Sequence, residues 1–514
     1  MMQSARSEKL VPVVVVIVVL LTAILSVTPW PVGAYEDDAI YTLLAKALAS
    51  GEGYRMINLP GTPAATHYPP GYPFLLSLLW RVWPEFPDNV VVFKFANAVL
   101  LAAGAAGIYL FARRRLEYTA TGAGVLAIAA TAAMPMLQLT GLVLSEPLFL
   151  AIAFVVFLAI ERTAATGSLR DAAATGVLLG ILCLVRTIGV VAVGAALLLL
   201  LARRHFRAAI VAGLVAFALV LPWQLWVSAH QAELQPVLQG KYGPYLSWVF
   251  DGYRTGGVEF ARGVFIQNLA GMANTLSYLV MPANAFWPRL VSLVLLGLVL
   301  IAGLRLLSRR APTLVLFCVL YLLLLVAWPF HPYRFLLALW PVLLILAVGT
   351  GVALWRWQPE GTSRRAFRFV ALGGVACLAI GHAAYNWHEY RAEAWVDLQR
   401  RAGISARPLV EWVDRNTEPG DILATEHDVV VYLYTGRQGV PVSTFLPSQF
   451  LAPFTPVENA HWVGTIVQTF EPRYLITGFP AHVAAADTLA TTPQPPLRRA
   501  GSIPNHVIFA RISK

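Results

Sequence analysis

Up to about residue 384 the chain is a succession of apolar stretches divided by short polar turns. A bilayer hydrocarbon core about 30 Å thick takes about 20 apolar residues in a helix, and somewhat fewer beside a functional break. Cut on that basis, the sequence predicts eleven transmembrane helices, at 11–30, 89–112, 119–139, 144–160, 172–185, 187–202, 208–228, 289–304, 312–329, 335–354 and 367–384. The fifth and sixth are short. The first, running from Val11 to about Trp30 behind Arg6 and Lys9, has no convincing small-residue cleavage site and reads as a retained signal anchor.

Threading these spans from a cytoplasmic N-terminus puts every short arginine-rich turn on one side: Arg113 to Arg115, Arg162 and Arg170, Arg203 to Arg207, Arg305 to Arg310, and Arg356 to Arg368. The positive-inside rule makes that side the cytoplasm, and an odd number of spans leaves the C-terminus outside. The outer face then receives a first loop over 31–88, a tight turn at 140–146, a second long loop over 229–288 and a short HPYRF turn. In the first loop, AIYTLLAKALASG has helical spacing with a glycine stop, and YPPGYPFLLSLLWRVW resembles it, so two helices along the membrane surface are expected. Beyond Tyr385 the segment PLVEWVDRNTEPGDILATEHDVVVYLYTG reads as an amphipathic helix, a break, a short strand and another helix, while RYLITG and HVIFARI read as strands. The expected architecture is a polytopic α-helical membrane module over 1–385, with outer loop 31–88, followed by a small extracytoplasmic α/β domain over 386–514.

Composition supports lipid as the main solvent: 58% of the 514 residues are hydrophobic and 13% charged. The net charge of +11 is carried by the arginine-rich turns, which argues against a nucleic-acid partner. Cys183, Cys318 and Cys377 all sit in apolar segments, so neither a disulfide framework nor a zinc site is legible.

Three features put polar groups where a membrane protein needs a reason to keep them. Glu36, Asp37 and Asp38, in YEDDAIY just outside the first span, have the chemistry of a general base or of a divalent-cation site. They equally suit the first turn of a surface helix, which favours acids. Glu146, in SEPLF, follows a capping Ser145 and precedes Pro147, so it reads either as a site acid or as a helix-start acid. Arg186, in LVRTIG, and Arg334, in HPYRF, stand outside against the positive-inside trend, and their planar forks suit two phosphate oxygens. The alternative for both is snorkelling to headgroups. His67, His331 and Tyr333 share those layers, where single His and Tyr residues usually serve as anchors, and Lys94 is expected to snorkel or pair with a carboxylate.

Taken in order, the Tyr35–Tyr41 segment, HYPPGYPFLLSLLW, SEPLF and HPYRFLLALWP resemble the GT-C superfamily of membrane glycosyltransferases, in its protein-mannosyltransferase and aminoarabinose-transferase branch, over about residues 10–350. The resemblance implies transfer of a sugar, with inversion, from a polyprenyl phosphate to a glycan, lipid or protein acceptor at the outer face of a plasma membrane. It implies an acidic pair after the first span, matched here by Asp37 and Asp38. An Asp replaces the family's Glu and Glu36 precedes, which leaves the base open among these carboxylates. Glu146 would support the base or bind a metal, and a divalent cation is the one cofactor the acids leave room for. Arg186 and Arg334 would clamp the lipid phosphate, with Glu36, His67, Tyr68, His331 and Tyr333 completing a substrate-binding set. A transporter or flippase fits the spans and charges as well, but the acidic outer loop and outer tail favour surface chemistry.

Overall fold

The computed structural model describes residues 2–512, and the side chains of residues 1–9, Arg6 and Lys9 among them, lie outside the described set. Each expected span is helical, from Met2–Leu25 through Asn89–Arg115 and Glu146–Thr166 to Tyr333–Arg356 and Thr362–Arg391. Among the described residues, length and apolarity alone qualify six helices to cross a membrane, or seven if Ala120–Thr131 and Met134–Thr140, bent by 56°, form one span. Leu10–Leu25, Thr187–Ala202 and Pro312–Ala327 are apolar but shorter, and Leu169–Val185 has 17 residues.

The second long loop differs from expectation, because it contains a 36-residue helix, Tyr245–Val280, broken at Gly257 where φ is 55° and ψ −145°. Asp251, Arg254, Glu259 and Arg262 interrupt its apolar pattern, which hides it from a search for continuous apolar runs. It lies along one end of the bundle. Tyr245 packs against Phe330, Asn268 donates to the Trp328 carbonyl at 2.7 Å, and Tyr278 donates to Glu389 at 2.6 Å.

The helices of the first loop, Glu36–Ala49 and Gly71–Val82, form where the sequence places them. Glu36–Ala49 is not a surface helix, however, since everything from Asp38 to Ala45 is buried. The C-terminal region covers it: the amide of Gly439 donates to the Asn58 carbonyl at 2.9 Å, and Lys46 sits over the Tyr432 ring. That region holds a sheet of β1 (Leu423–Thr425), β2 (Gly439–Val440), β3 (Tyr474–Thr477), β4 (Leu497–Ile503) and β5 (His506–Arg511). Their spatial order is β2-β1-β3-β5-β4. β1 runs parallel to β2 and β3, and β5 runs antiparallel to β3 and β4.

Lys94 neither snorkels nor meets a carboxylate through a salt bridge. Its ammonium, 1% exposed, donates to the carbonyls of Thr28 and Trp30 at 3.1 and 2.7 Å and to Gln399 at 2.7 Å. It thereby ties the chain after the first helix to the helix Ala394–Asn416. Lys94→Met would leave the buried Gln399 oxygen and two half-buried carbonyls without this charged donor, a loss of about 3 kcal/mol. The expected result is a melting midpoint several degrees lower in detergent, followed by tryptophan fluorescence; an unchanged midpoint would deprive the lock of energetic weight.

Candidate active site

The site is built from helix ends. Asp37 lies in the first turn of Glu36–Ala49, Glu146 opens Glu146–Thr166, and Arg334 is the second residue of Tyr333–Arg356. Arg186 occupies the extended break (φ −149°, ψ 134°) between Leu169–Val185 and the turn Thr187–Gly189. Helix ends carry unpaired backbone dipoles and solvent-facing side chains, so they gather polar chemistry at one level of an apolar bundle.

The four side chains form a continuous ionic chain. Arg334 Nη1 reaches Asp37 Oδ2 at 2.5 Å, Arg334 Nε reaches Glu146 Oε1 at 2.6 Å, and Arg186 Nη1 lies 2.7 Å from Glu146 Oε2. Glu146 is 1% exposed and wedged between both guanidinium groups, whereas Asp37 keeps 24% of its side chain accessible. Tyr68 donates to Asp37 Oδ1 at 2.6 Å. Arg186 donates to Ser145 Oγ at 2.9 Å, which in turn lies 3.3 Å from the Tyr41 hydroxyl. The Arg334 guanidinium stacks over Tyr35 at 5.3 Å, and its Nη2 is buried without a partner among the described residues. Burial raises the Asp37 carboxyl, but Arg334 and the Tyr68 hydrogen bond outweigh it and hold the group below its ordinary value.

Asp38 points elsewhere. Its carboxylate accepts from the amides of Gly33, Ala34 and Ala39 at 3.0, 3.3 and 3.0 Å, fixing the chain that leads into the helix. Burial pushes it up to about 7. Glu36 pairs with Lys241 at 2.7 Å, and burial raises its carboxyl in spite of that pairing.

Two cavities meet at Asp37. One, of about 420 Å³, runs between Arg186, Arg334 and Tyr35 and on to apolar Ile188, Leu324 and Leu325. The other, of about 540 Å³, is mostly apolar in its lining but is the more polar of the two; it lies under the C-terminal sheet, where Glu36, Lys241, Glu426, His427 and His482 line it. Asp37, Tyr68, Tyr245 and Phe330 line both. His331 and Tyr333 line the apolar cavity, and His67 the more polar one. His67 Nδ1 lies 2.6 Å from the Gly243 carbonyl, and burial pushes its imidazole down to about 4, so the ring is neutral at physiological pH.

All ten candidate residues therefore lie at this centre or immediately behind it, with Asp38 turned to the backbone. Sequence reasoning missed Lys241, Tyr245, Phe330 and the wall from the C-terminal sheet. The KYGPY segment, with its Gly-Pro break beside a lysine and two tyrosines, was the available signal for the first two. Among the described residues no three His, Cys, Asp or Glu side chains are grouped so as to hold a metal ion.

Neither a protein-family model nor a curated protein matches the sequence. Solved structures do. The chain aligns with the crystal structure of ArnT from Cupriavidus metallidurans bound to undecaprenyl phosphate at a TM-score of 0.57 and 15% identity, over 98% of each chain. With the same protein in the apo state the TM-score is 0.55 and the identity 16%, over 97% of each chain. The cryo-EM structure of arabinofuranosyltransferase AftD from Mycobacteria aligns with 98% of this chain and 40% of its own, at 16% identity and a TM-score of 0.47. Over nearly its whole length, the chain has the fold of ArnT.

Proposed function

We propose that this protein is an integral membrane glycosyltransferase that moves a sugar from a polyprenyl phosphate to an acceptor hydroxyl or amine, with inversion at the anomeric carbon. The observation that carries the reading is the position of Asp37 where a groove headed by two arginines meets a second cavity that carries Glu36, Lys241, Glu426 and His482. On one side, two arginines stand at the head of an apolar groove, and Arg334 Nη2 has no partner among the described residues. A lipid phosphate satisfies both features, because its oxygens take guanidinium hydrogen bonds and its chain takes the groove. The ArnT structure solved bound to undecaprenyl phosphate supports a lipid of this kind.

In this reading the acceptor enters from the more polar cavity. Asp37 takes the proton from its hydroxyl or amine, the freed lone pair attacks the anomeric carbon, and the bond from that carbon to the phosphate oxygen breaks. The lipid phosphate departs with the bonding electrons, and Arg186 and Arg334 receive the growing negative charge in a water-poor setting where fixed cations act strongly. Glu146, buried between the two arginines, is their positioning residue. The reaction belongs on the outer face of a plasma membrane, because the site and the C-terminal sheet share the end of the bundle opposite the arginine-rich turns.

The test is transfer by purified protein in nanodiscs, offering radiolabelled polyprenyl-phosphate sugars with a membrane extract as acceptor. Incorporation of label from at least one donor is expected. No transfer from any donor by folded protein would leave the likeness as one of fold alone.

A further inference from the structure

The C-terminal sheet contributes a feature that sugar transfer as such does not require. In the order β2-β1-β3, the chain leaves β1 towards β2 on one side, then crosses back to enter β3 on the other side. Open α/β sheets bind ligands in the crevice beyond the carboxyl ends of parallel strands at such a reversal. Here Glu426 follows directly on β1, Thr477 ends β3, and His482 lies in the helix Pro480–Ala490 that comes next.

Glu426 Oε1 accepts from Thr477 Oγ1 and lies 3.0 Å from His482 Nδ1. Its Oε2 has no partner among the described residues, although the side chain is only 9% exposed. Ser443 Oγ is also buried and without a partner among them. Both residues line the more polar cavity that Asp37 enters. A buried carboxylate oxygen left unpaired is costly, and a ligand that donates to it removes the cost. Burial raises the Glu426 carboxyl, but the bonds from His482 and Thr477 outweigh it and keep the group ionised at neutral pH.

The charges around it select the ligand. Lys241 is the only Lys or Arg lining this cavity among the described residues, and it is committed to Glu36 at 2.7 Å and Asp428 at 3.5 Å. Asp428 is filled by Asn58 and Tyr242 as well. A phosphate or carboxylate entering here meets an excess of negative groups and no free cation, whereas hydroxyl groups meet an unfilled oxygen. Phe479, which is exposed, adds an aromatic face for the C–H side of a sugar ring.

We propose that this crevice recognises a non-anionic sugar unit of the acceptor, with Glu426 as its specificity-determining residue. The proposal rests on the transferase reading and adds the substrate class. Its test begins with binding, which needs no turnover: purified protein is titrated with a neutral methyl hexoside, the corresponding amino sugar and the hexose 6-phosphate, followed by tryptophan fluorescence. The neutral and amino sugars should bind at least about tenfold more tightly than the phosphate, and Glu426→Gln should weaken them by about tenfold. Undecaprenyl phosphate binding should stay within about twofold.

In the transfer assay the same variant should raise the acceptor KM about tenfold and leave kcat and the donor KM nearly unchanged. Ser443→Ala, which removes a hydroxyl with no partner among the described residues, should act in the same direction and keeps the test open if Glu426→Gln folds poorly. Equal binding of the phosphorylated sugar, or an acceptor KM unmoved in both variants, would overturn the proposal. Binding of the neutral sugar without transfer from any donor would overturn the transferase reading and leave the recognition site standing.

Discussion

Asp37→Asn is expected to lower sugar transfer by about 10²- to 10⁴-fold, the contribution of a positioned general base, while the protein stays folded. The replacement is isosteric. Its amide still fills the space between Tyr68 and Arg334, which reach Asp37 at 2.6 and 2.5 Å, but it takes up no proton. Glu146 continues to hold both arginines, so the site loses its base without losing its scaffold. Transfer at saturating donor, with the melting midpoint as the folding control, is the measurement. Asp38→Asn provides the contrast: its carboxylate serves the amides of Gly33, Ala34 and Ala39, so that variant should lose stability more than turnover. Full transfer in both variants would remove these carboxylates from the chemistry. Because Asp37 is held below its ordinary value, a limb of the pH profile that reports it should lie on the acid side of the usual Asp range, about pH 4. Activity then persists as pH falls through 5 and is lost only as the carboxylate takes its proton.

Arg334→Ala should cost about 10³-fold or more in transfer and destabilise the protein at the same time. The reason is the burial of its partners. Glu146, 1% exposed, would be left with Arg186 alone, and Asp37 would lose its ion pair; breaking a buried pair from one side costs about 3–5 kcal/mol. Arg334→Lys separates the two effects. An ammonium keeps the charge but presents a point, not a fork, so it serves one carboxylate and leaves the phosphate position unfilled. The lysine variant is expected to recover much of the melting midpoint while its donor KM stays raised by about tenfold or more. Since Arg334 is the largest influence lowering the Asp37 carboxyl, both variants should also move the acid limb to higher pH. Unchanged donor dependence in Arg334→Ala would take this residue out of the phosphate site.

The site was partly legible because its members break local rules. Arg186 and Arg334 are cations at the wrong end of the bundle, Glu146 is an acid inside an apolar hairpin, and the acids of YEDDAIY crowd a short segment. Each anomaly can be seen in a window of a few residues. Their alliance cannot: Asp37 and Arg334 meet across 297 positions of sequence, and no local pattern states that they touch. The wall of Glu426, Ser443 and His482 was missed for the same reason, since scattered polar residues in a mixed α/β segment look alike until strand order brings them to one crevice.

By itself the sequence determined the apolar helices and the strands RYLITG and HVIFARI, because lipid and the strand pleat act on the chain locally and leave their period in it. Tertiary structure alone decided that Tyr245–Val280 is a helix laid along the bundle end, that Glu36–Ala49 is covered by the C-terminal region, and that Lys94 bonds carbonyls and Gln399 in place of a carboxylate. It also decided which way each acid of the first loop faces. Neighbouring carboxylates of nearly identical sequence context differ only in what packs against them, and packing is a property of the whole chain.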